Sequence, residues 1–136
     1  QAFGTLPIDV KELGIDMSRC HLNGPTSNIK EAYLDSSLFV LSSRFEGLSM
    51  SLLEAISCGL PVVAFECPCG PKDVFENGVN SILVPRENIE LLANNMISVM
   101  QSSELAKKLG NNARIRSCDF KIDVIAERWR ELFESM

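Results

Sequence analysis

The sequence predicts an α/β domain of three layers, with helices on both faces of a parallel sheet. Two apolar runs, Leu38 to Leu41 and Val62 to Phe65, are continuous rather than alternating, as in strands covered on both faces. A third run, Asn80 to Pro85, follows at a similar interval. The segments between and after the runs carry apolar residues at helical spacing. Strands alternating with helices make βαβ units, whose crossovers are nearly always right-handed. A chain of 136 residues with 46% hydrophobic content suits one domain, residues 1–136, with a sizeable core.

Taken in order, Pro7 to Gly14 reads as a short helix closed by its glycine. Cys20-His21-Leu22 is a weak strand candidate ending at Gly24-Pro25. Asn28 is the expected cap of a helix from Ile29 to Asp35, where Ile29, Ala32 and Tyr33 share one face. That spacing favours core packing for Tyr33 over stacking on a ligand. After the first strong strand, Ser42 to Leu48 is a polar loop. Ser49 is the expected N-cap of a helix over Met50 to Cys58. Gly59 ends it in the left-handed conformation that glycine adopts cheaply. Pro61 then opens the second strand. Glu66 to Pro71 is a loop stiffened by two prolines, since each fixes φ. Lys72 to Glu76 forms a short helix stopped by Asn77-Gly78. Asn88 caps a helix with Ile89, Leu92, Ala93, Met96, Ile97 and Met100 on one face, and the methionines read as core fillers. Ser103 caps the next, Glu104 to Ser117. A last helix, Ile122 to Phe133, is expected to bury Ile122, Ile125, Trp129 and Phe133.

Two carboxylates stand out. Glu46 lies in the loop before the helix at Met50, and Glu54 lies inside an otherwise apolar helical string. In open α/β sheets ligands bind beyond the C-terminal ends of the strands, beside helix N-termini. The backbone N–H groups of Leu48, Ser49, Met50 and Ser51 suit a phosphate there. Glu54, one turn deeper, has two oxygens that can accept from adjacent hydroxyls, as on a ribose. The competing reading is a solvated Glu46 and a Glu54 on the wet edge of its helix.

At these residues the chain resembles a known family. Glu46-Gly47-Leu48-Ser49-Met50-Ser51-Leu52-Leu53-Glu54-Ala55, followed by Cys58-Gly59-Leu60-Pro61-Val62-Val63-Ala64, looks like the E-x7-E signature of retaining glycosyltransferases of family 4. The resemblance runs from about Pro7 to the C-terminus. It implies a Rossmann-like domain, the C-terminal, donor-binding half of a GT-B enzyme. The first strand or strands and the N-terminal acceptor domain would lie outside this chain, as would the Arg and Lys that hold the diphosphate.

The implied reaction moves a hexose from a nucleoside-diphosphate sugar, with UDP favoured, to a hydroxyl acceptor with retention of configuration. Glu46 is then the catalytic residue. Gly47, Leu48, Ser49, Met50, Ser51 and Glu54 bind the donor, and Asn23, Gly24 and Asn28 lie near the base. The resemblance implies no cofactor and no divalent metal. Ser43-Arg44-Phe45-Glu46-Gly47 and Cys67-Pro68-Cys69-Gly70-Pro71 resemble bacterial surface-polysaccharide members, which favours capsule or lipopolysaccharide synthesis on a carbohydrate or lipid-linked saccharide acceptor. Peripheral membrane contact would come through the absent N-terminal domain. Asp73 departs from the family's usual glutamate, and Lys72 beside it reads as solvated rather than as a phosphate ligand.

Bulk properties bear on the partner. A net charge of −5 argues against nucleic acid and is also unhelpful for a nucleotide diphosphate, so such a site needs local donors or charges from outside this chain. No apolar run approaches the ~20 residues of a membrane-spanning helix, and no signal peptide is expected. The five cysteines are irregularly spaced, and the one histidine, His21, has no carboxylate beside it. This pattern argues against a zinc site or disulfide framework and for reduced thiols in a cytoplasmic protein. The alternative from another class is a non-catalytic nucleotide-binding or receiver-like interaction module. A receiver would want an acidic cluster at its first strand ends and a late lysine, and neither arrangement is present.

Overall fold

The computed structural model describes residues 12–136. Its elements are α1 (Ile29–Leu34), β1 (Phe39–Leu41), α2 (Met50–Ser57), β2 (Val62–Glu66), α3 (Pro71–Val74), β3 (Ile82–Pro85), α4 (Ile89–Gln101), α5 (Ser103–Ser117), a 3-10 turn (Cys118–Phe120) and α6 (Ile122–Glu134). The three strands form one parallel sheet in the order β1-β2-β3. Register pairs Phe39 with Val62 and Val63 with Ile82. The helix expected from Pro7 falls mostly outside the described residues; Gly14, its expected end, has φ +65°.

The central strand shows why the domain has three layers. Val62 and Ala64 point to one face, where they meet Leu52 and Ile56 of α2, Val74, Phe75 and Ala113. Val63 and Phe65 point to the other, where they meet Leu92 and Val99 of α4 and Leu109 of α5. The period of two along a strand forces this division, so a continuous apolar run needs helices on both sides. Helix α5 serves both clusters because it passes under the start of β2. Its Gly110 lies against the turn there: a Cβ on Gly110 would stand 2.3 Å from the Gly59 carbonyl oxygen. The turn depends on Gly59, whose φ is +80°. With α5 closing that end of the sheet, the C-terminal strand ends are left to the loops.

Several expectations need correction. The run at Leu38 was expected to be buried on both faces, but Phe39, Val40 and Leu41 are only half-buried. Among the described residues β1 is an edge strand, without the second neighbour that flanks β2. Cys20-His21-Leu22 forms no strand, and His21 and Leu22 are exposed; three residues without a pairing partner gain no ladder. The cap of α5 is Ser102, not Ser103: the Ser102 hydroxyl accepts from Leu105 N–H at 3.2 Å. Asn88 caps α4 as expected, accepting from Leu91 N–H at 2.9 Å. Asn28 precedes α1 without a side-chain cap bond; its own N–H instead donates to Thr26 Oγ1. The short helix α3 ends at Val74, two residues before Glu76.

Helix α6 buries no residue at all. Ile122, Trp129 and Phe133 are exposed, and Trp129 stacks on Phe133 at 5.8 Å. Met96 is partly buried against the second cluster, but Met50 and Met100 are exposed, so they are not core fillers.

One buried polar atom yields a stability prediction. Ser81 is fully buried beside β3, and its hydroxyl has no hydrogen-bond partner among the described residues. Removing an unsatisfied buried group relieves its desolvation cost. Ser81→Ala is therefore expected to be neutral or to stabilise by about 1 kcal/mol in denaturant unfolding. A loss above about 1 kcal/mol would mean that the hydroxyl has a partner.

Candidate functional site

Three loops meet at the C-terminal ends of the strands. The loop after β1 holds Arg44, Phe45 and Glu46, the loop after β2 holds Cys67 to Gly70, and the turn after β3 holds Arg86 and Glu87. Gly70 lets the first two approach: a Cβ there would lie 2.9 Å from Glu46 Cβ and 3.5 Å from Cys67 Sγ. Glu46 is half-buried behind this contact. The loops after β1 and β3 are clasped across the end of β2. Arg44 pairs with Glu87 at 3.0 Å, and the Arg86 guanidinium sits 5.1 Å above the Phe45 ring. Both are exposed contacts, worth about 1 kcal/mol or less each. Glu87 takes φ +67°, and Cys69 takes φ +60°, a conformation that costs a non-glycine residue about 1 kcal/mol or more. Lys72, whose approach to a phosphate sequence reasoning discounted, is paired with Glu66 at 3.0 Å.

The start of α2 lacks a side-chain cap. Ser49 is buried at the N-cap position, but its side chain makes no cap bond. Its hydroxyl instead lies 3.0 Å from that of Ser51. No carboxylate occupies the first turn. Among the described residues the leading N–H groups of Met50 and Ser51 therefore have no side-chain acceptor, and the helix dipole adds partial positive charge there. Gly47, Leu48, Met50 and Ser51 are all exposed around this end. Ser49 thus marks the helix start as expected without satisfying it.

Glu54 lies further along α2, and one of its oxygens is already engaged. The Tyr33 hydroxyl donates to Glu54 Oε2 at 3.3 Å. Tyr33 is 8% exposed and meets Phe39 edge-on, ring centroids 6.1 Å apart. This confirms its place in the core and adds a polar role that helical spacing does not reveal. Tyr33 and Glu54 share an open cleft of about 500 Å³ with Lys30, Ser57, Cys58 and Arg114. Arg114 comes from α5, so nothing near Glu54 in sequence announces it. The structure does not join Glu46 to Glu54: Glu46 faces the loop after β2, and Glu54 faces α1. Asn23, Gly24 and Asn28 are exposed, and none is among the described residues lining the cleft.

Two buried acids carry raised pKa values. Burial first, then the charge and hydrogen bond of Glu54, push the Tyr33 phenol above its ordinary 10.0. Burial first, then the charge of Glu46, push the Cys67 thiol above 9.0, with Arg86 opposing. In each case the folded chain holds the proton more tightly than the unfolded chain. The associated stability is complete below the ordinary value and is lost as pH rises through the folded one. Unfolding free energy is expected to fall with pH from about 9 upward, and Cys67→Ala with Tyr33→Phe should flatten that fall. An unchanged slope in chemical denaturation would contradict it.

All five cysteines are unpaired. Among the described residues no three His, Cys, Asp or Glu side chains converge as a metal-holding group. No helix among them is long and apolar enough to cross a membrane.

Comparison with known proteins gives this geometry a context. The Streptomyces coelicolor protein named exopolysaccharide phosphotransferase is 33% identical over 128 residues, 93% of this chain and 14% of that protein. The Staphylococcus aureus poly(ribitol-phosphate) alpha-N-acetylglucosaminyltransferase is 32% identical over 115 residues, 84% of this chain and 23% of that protein. This chain thus spans less than a quarter of either. The crystal structure of Anabaena HepE in complex with UDP superposes with a TM-score of 0.87 at 26% identity, over 96% of this chain and 36% of that one. TarM superposes equally well, with a TM-score of 0.87 at 27% identity, over 98% of this chain and 27% of that one. The parallel sheet with helices on both faces is the Rossmann-like C-terminal domain of the GT-B fold seen in these structures. The family described as glycosyl transferases group 1 matches residues 9–116, which include all three described strands, both signature glutamates and the start of α2. The resemblance carried by Glu46 to Ala64 is thereby established at the level of the family, and this chain belongs to the group 1 glycosyl transferases.

Proposed function

We propose that this chain is the donor-binding part of a longer retaining glycosyltransferase that moves a hexose from a UDP-sugar to a hydroxyl acceptor. The observation that carries the reading is the juxtaposition on α2. An uncapped helix start without a first-turn carboxylate stands one turn from an exposed carboxylate held at its far side by Tyr33. The N–H groups from Leu48 to Ser51 hold the phosphates. They also offset the charge that develops on the leaving diphosphate, which needs no divalent metal. Glu54 accepts from the ribose hydroxyls. Glu46, stiffened by Gly70 and Cys67, accepts from donor-sugar hydroxyls and stabilises positive character at the transferred carbon. Gly47 leaves the backbone open to the sugar.

Solved neighbours support the donor class, since HepE was crystallised with UDP and with UDP-glucose. Names of relatives support a surface polymer as product: poly(ribitol-phosphate), poly(glycerol-phosphate) and amylovoran. Acceptor recognition belongs to the part of the enzyme outside this chain. A lipid-linked acceptor would draw that part to the cytoplasmic face of a membrane.

The test is a calorimetric titration of the complete protein with UDP, GDP and ADP, repeated on Glu54→Ala. Selective binding of UDP, weakened in the variant, is the expected result. Preference for another base would overturn the UDP assignment. Indifference to Glu54→Ala would overturn the ribose assignment.

A further inference from the structure

We propose that Tyr33 is a positioning residue that aims the Glu54 carboxylate at the donor ribose. The inference rests on the reading that Glu54 holds the ribose. Tyr33 is fixed before any ligand arrives: it is packed with Ala55 and Leu60, both buried, and braced edge-on by Phe39. A hydroxyl on a held ring is a stationary donor. Glu54, in contrast, is an exposed side chain, and Tyr33 is its one side-chain hydrogen-bond partner among the described residues. Lys30, Ser57, Cys58 and Arg114 line the same cleft without bonding the carboxylate. The Ser57 hydroxyl donates to the Glu54 backbone carbonyl instead.

The lone-pair count leaves room for a ligand. An ionised carboxylate offers about four acceptor sites. Tyr33 uses one, on Oε2, and the rest suffice for two neighbouring hydroxyls. The bond is part-buried at the cleft wall, so Glu54 is the phenol's acceptor until water or a ligand competes for it. The tether removes rotamer freedom from Glu54 ahead of binding, so ordering it costs the complex less. Phenylalanine at position 33 would fill the same core space and lose only the hydrogen bond.

The experiment measures affinities for UDP and 2′-deoxy-UDP in the complete protein, its Tyr33→Phe variant and its Glu54→Ala variant. The ratio of the two affinities reports the ribose contact and is insensitive to general loosening of the fold. In the parent, UDP should bind more tightly. Glu54→Ala should bring the ratio close to one, and Tyr33→Phe should lower it several-fold while leaving 2′-deoxy-UDP affinity in place. If Glu54→Ala leaves the ratio unchanged, the ribose reading fails. If it collapses the ratio and Tyr33→Phe does not lower it, the positioning role fails and the ribose reading stands. Equal weakening of both nucleotides by Tyr33→Phe would mark a structural role only and also overturn the proposal.

A second readout needs no nucleotide. The ultraviolet difference titration between the parent and Tyr33→Phe isolates this phenol, the one tyrosine of the chain. Besides Glu54, the charged or titratable groups facing it across the cleft are Lys30, Cys58 and Arg114. Glu54→Gln is expected to lower the phenol's pKa, and an unmoved titration would overturn the contact.

Discussion

Gly110→Ala is expected to lower the melting temperature by about 10 °C or more, through a loss of about 3 kcal/mol or more. The added Cβ would stand 2.3 Å from the Gly59 carbonyl oxygen, a separation no real contact tolerates. Neither side can yield cheaply. Gly110 is buried in the middle of α5, and the carbonyl belongs to a turn already held at φ +80°. Moving α5 outward would also disturb Leu109 and Ala113, which are fully buried in the two core clusters. With total stability of about 5–15 kcal/mol for an ordinary domain, this single methyl is a large fraction. Gly24→Ala is the control: nothing lies within 4 Å of its Cβ, and the change should stay within about 0.5 kcal/mol. Thermal unfolding followed by circular dichroism distinguishes the two. A normal melting temperature for Gly110→Ala would mean that α5 does not sit on that turn.

The Gly110 contact was invisible in the sequence, and the reason is general to this chain. Val62 to Phe65 announces a central strand by composition alone, because a strand buried on both faces must be apolar throughout. Gly59 and Pro61 announce the turn before it through backbone geometry that few other residues adopt. What a helix packs against is a tertiary fact. The stripe of Ile122, Ile125, Trp129 and Phe133 was legible as a stripe, yet periodicity says only that a face is apolar, not that something covers it. Likewise Tyr33 was legible as a core residue by its spacing from Ile29. Its partner Glu54 lies 21 residues away, brought close by the packing of α1 on α2. The cap of α5 slipped by one residue because Ser102 and Ser103 are adjacent and chemically equal. The E-x7-E segment was legible because it is short, local and ends in a glycine turn. The cationic contribution of Arg114 to the cleft was not, since it comes from a different layer.

The second large effect concerns Glu54→Ala. A hydrogen bond to an ionised group contributes about 1.5–3 kcal/mol when the group is well shielded. Glu54 is exposed, so the lower end applies to each hydrogen bond with the ribose. Removing two such bonds together corresponds to about 2–4 kcal/mol, roughly thirty- to a thousand-fold in Kd. Binding should not vanish, because on the proposed reading the N–H groups at the start of α2 would still meet the phosphates. Stability should barely change: the variant removes an exposed carboxylate, and the Tyr33 hydroxyl lies next to an open cleft where water can replace its acceptor. The signature is therefore weaker nucleotide binding on an intact fold.

Calorimetric titration of UDP into the complete protein and into Glu54→Ala, with melting temperatures measured on the same samples, tests the donor site most directly. UDP is expected to bind the parent and to bind the variant more weakly by roughly thirty-fold or more, with closely similar melting temperatures. Equal affinities in the two proteins, or no UDP binding by the folded parent, would contradict a donor site built on Glu54.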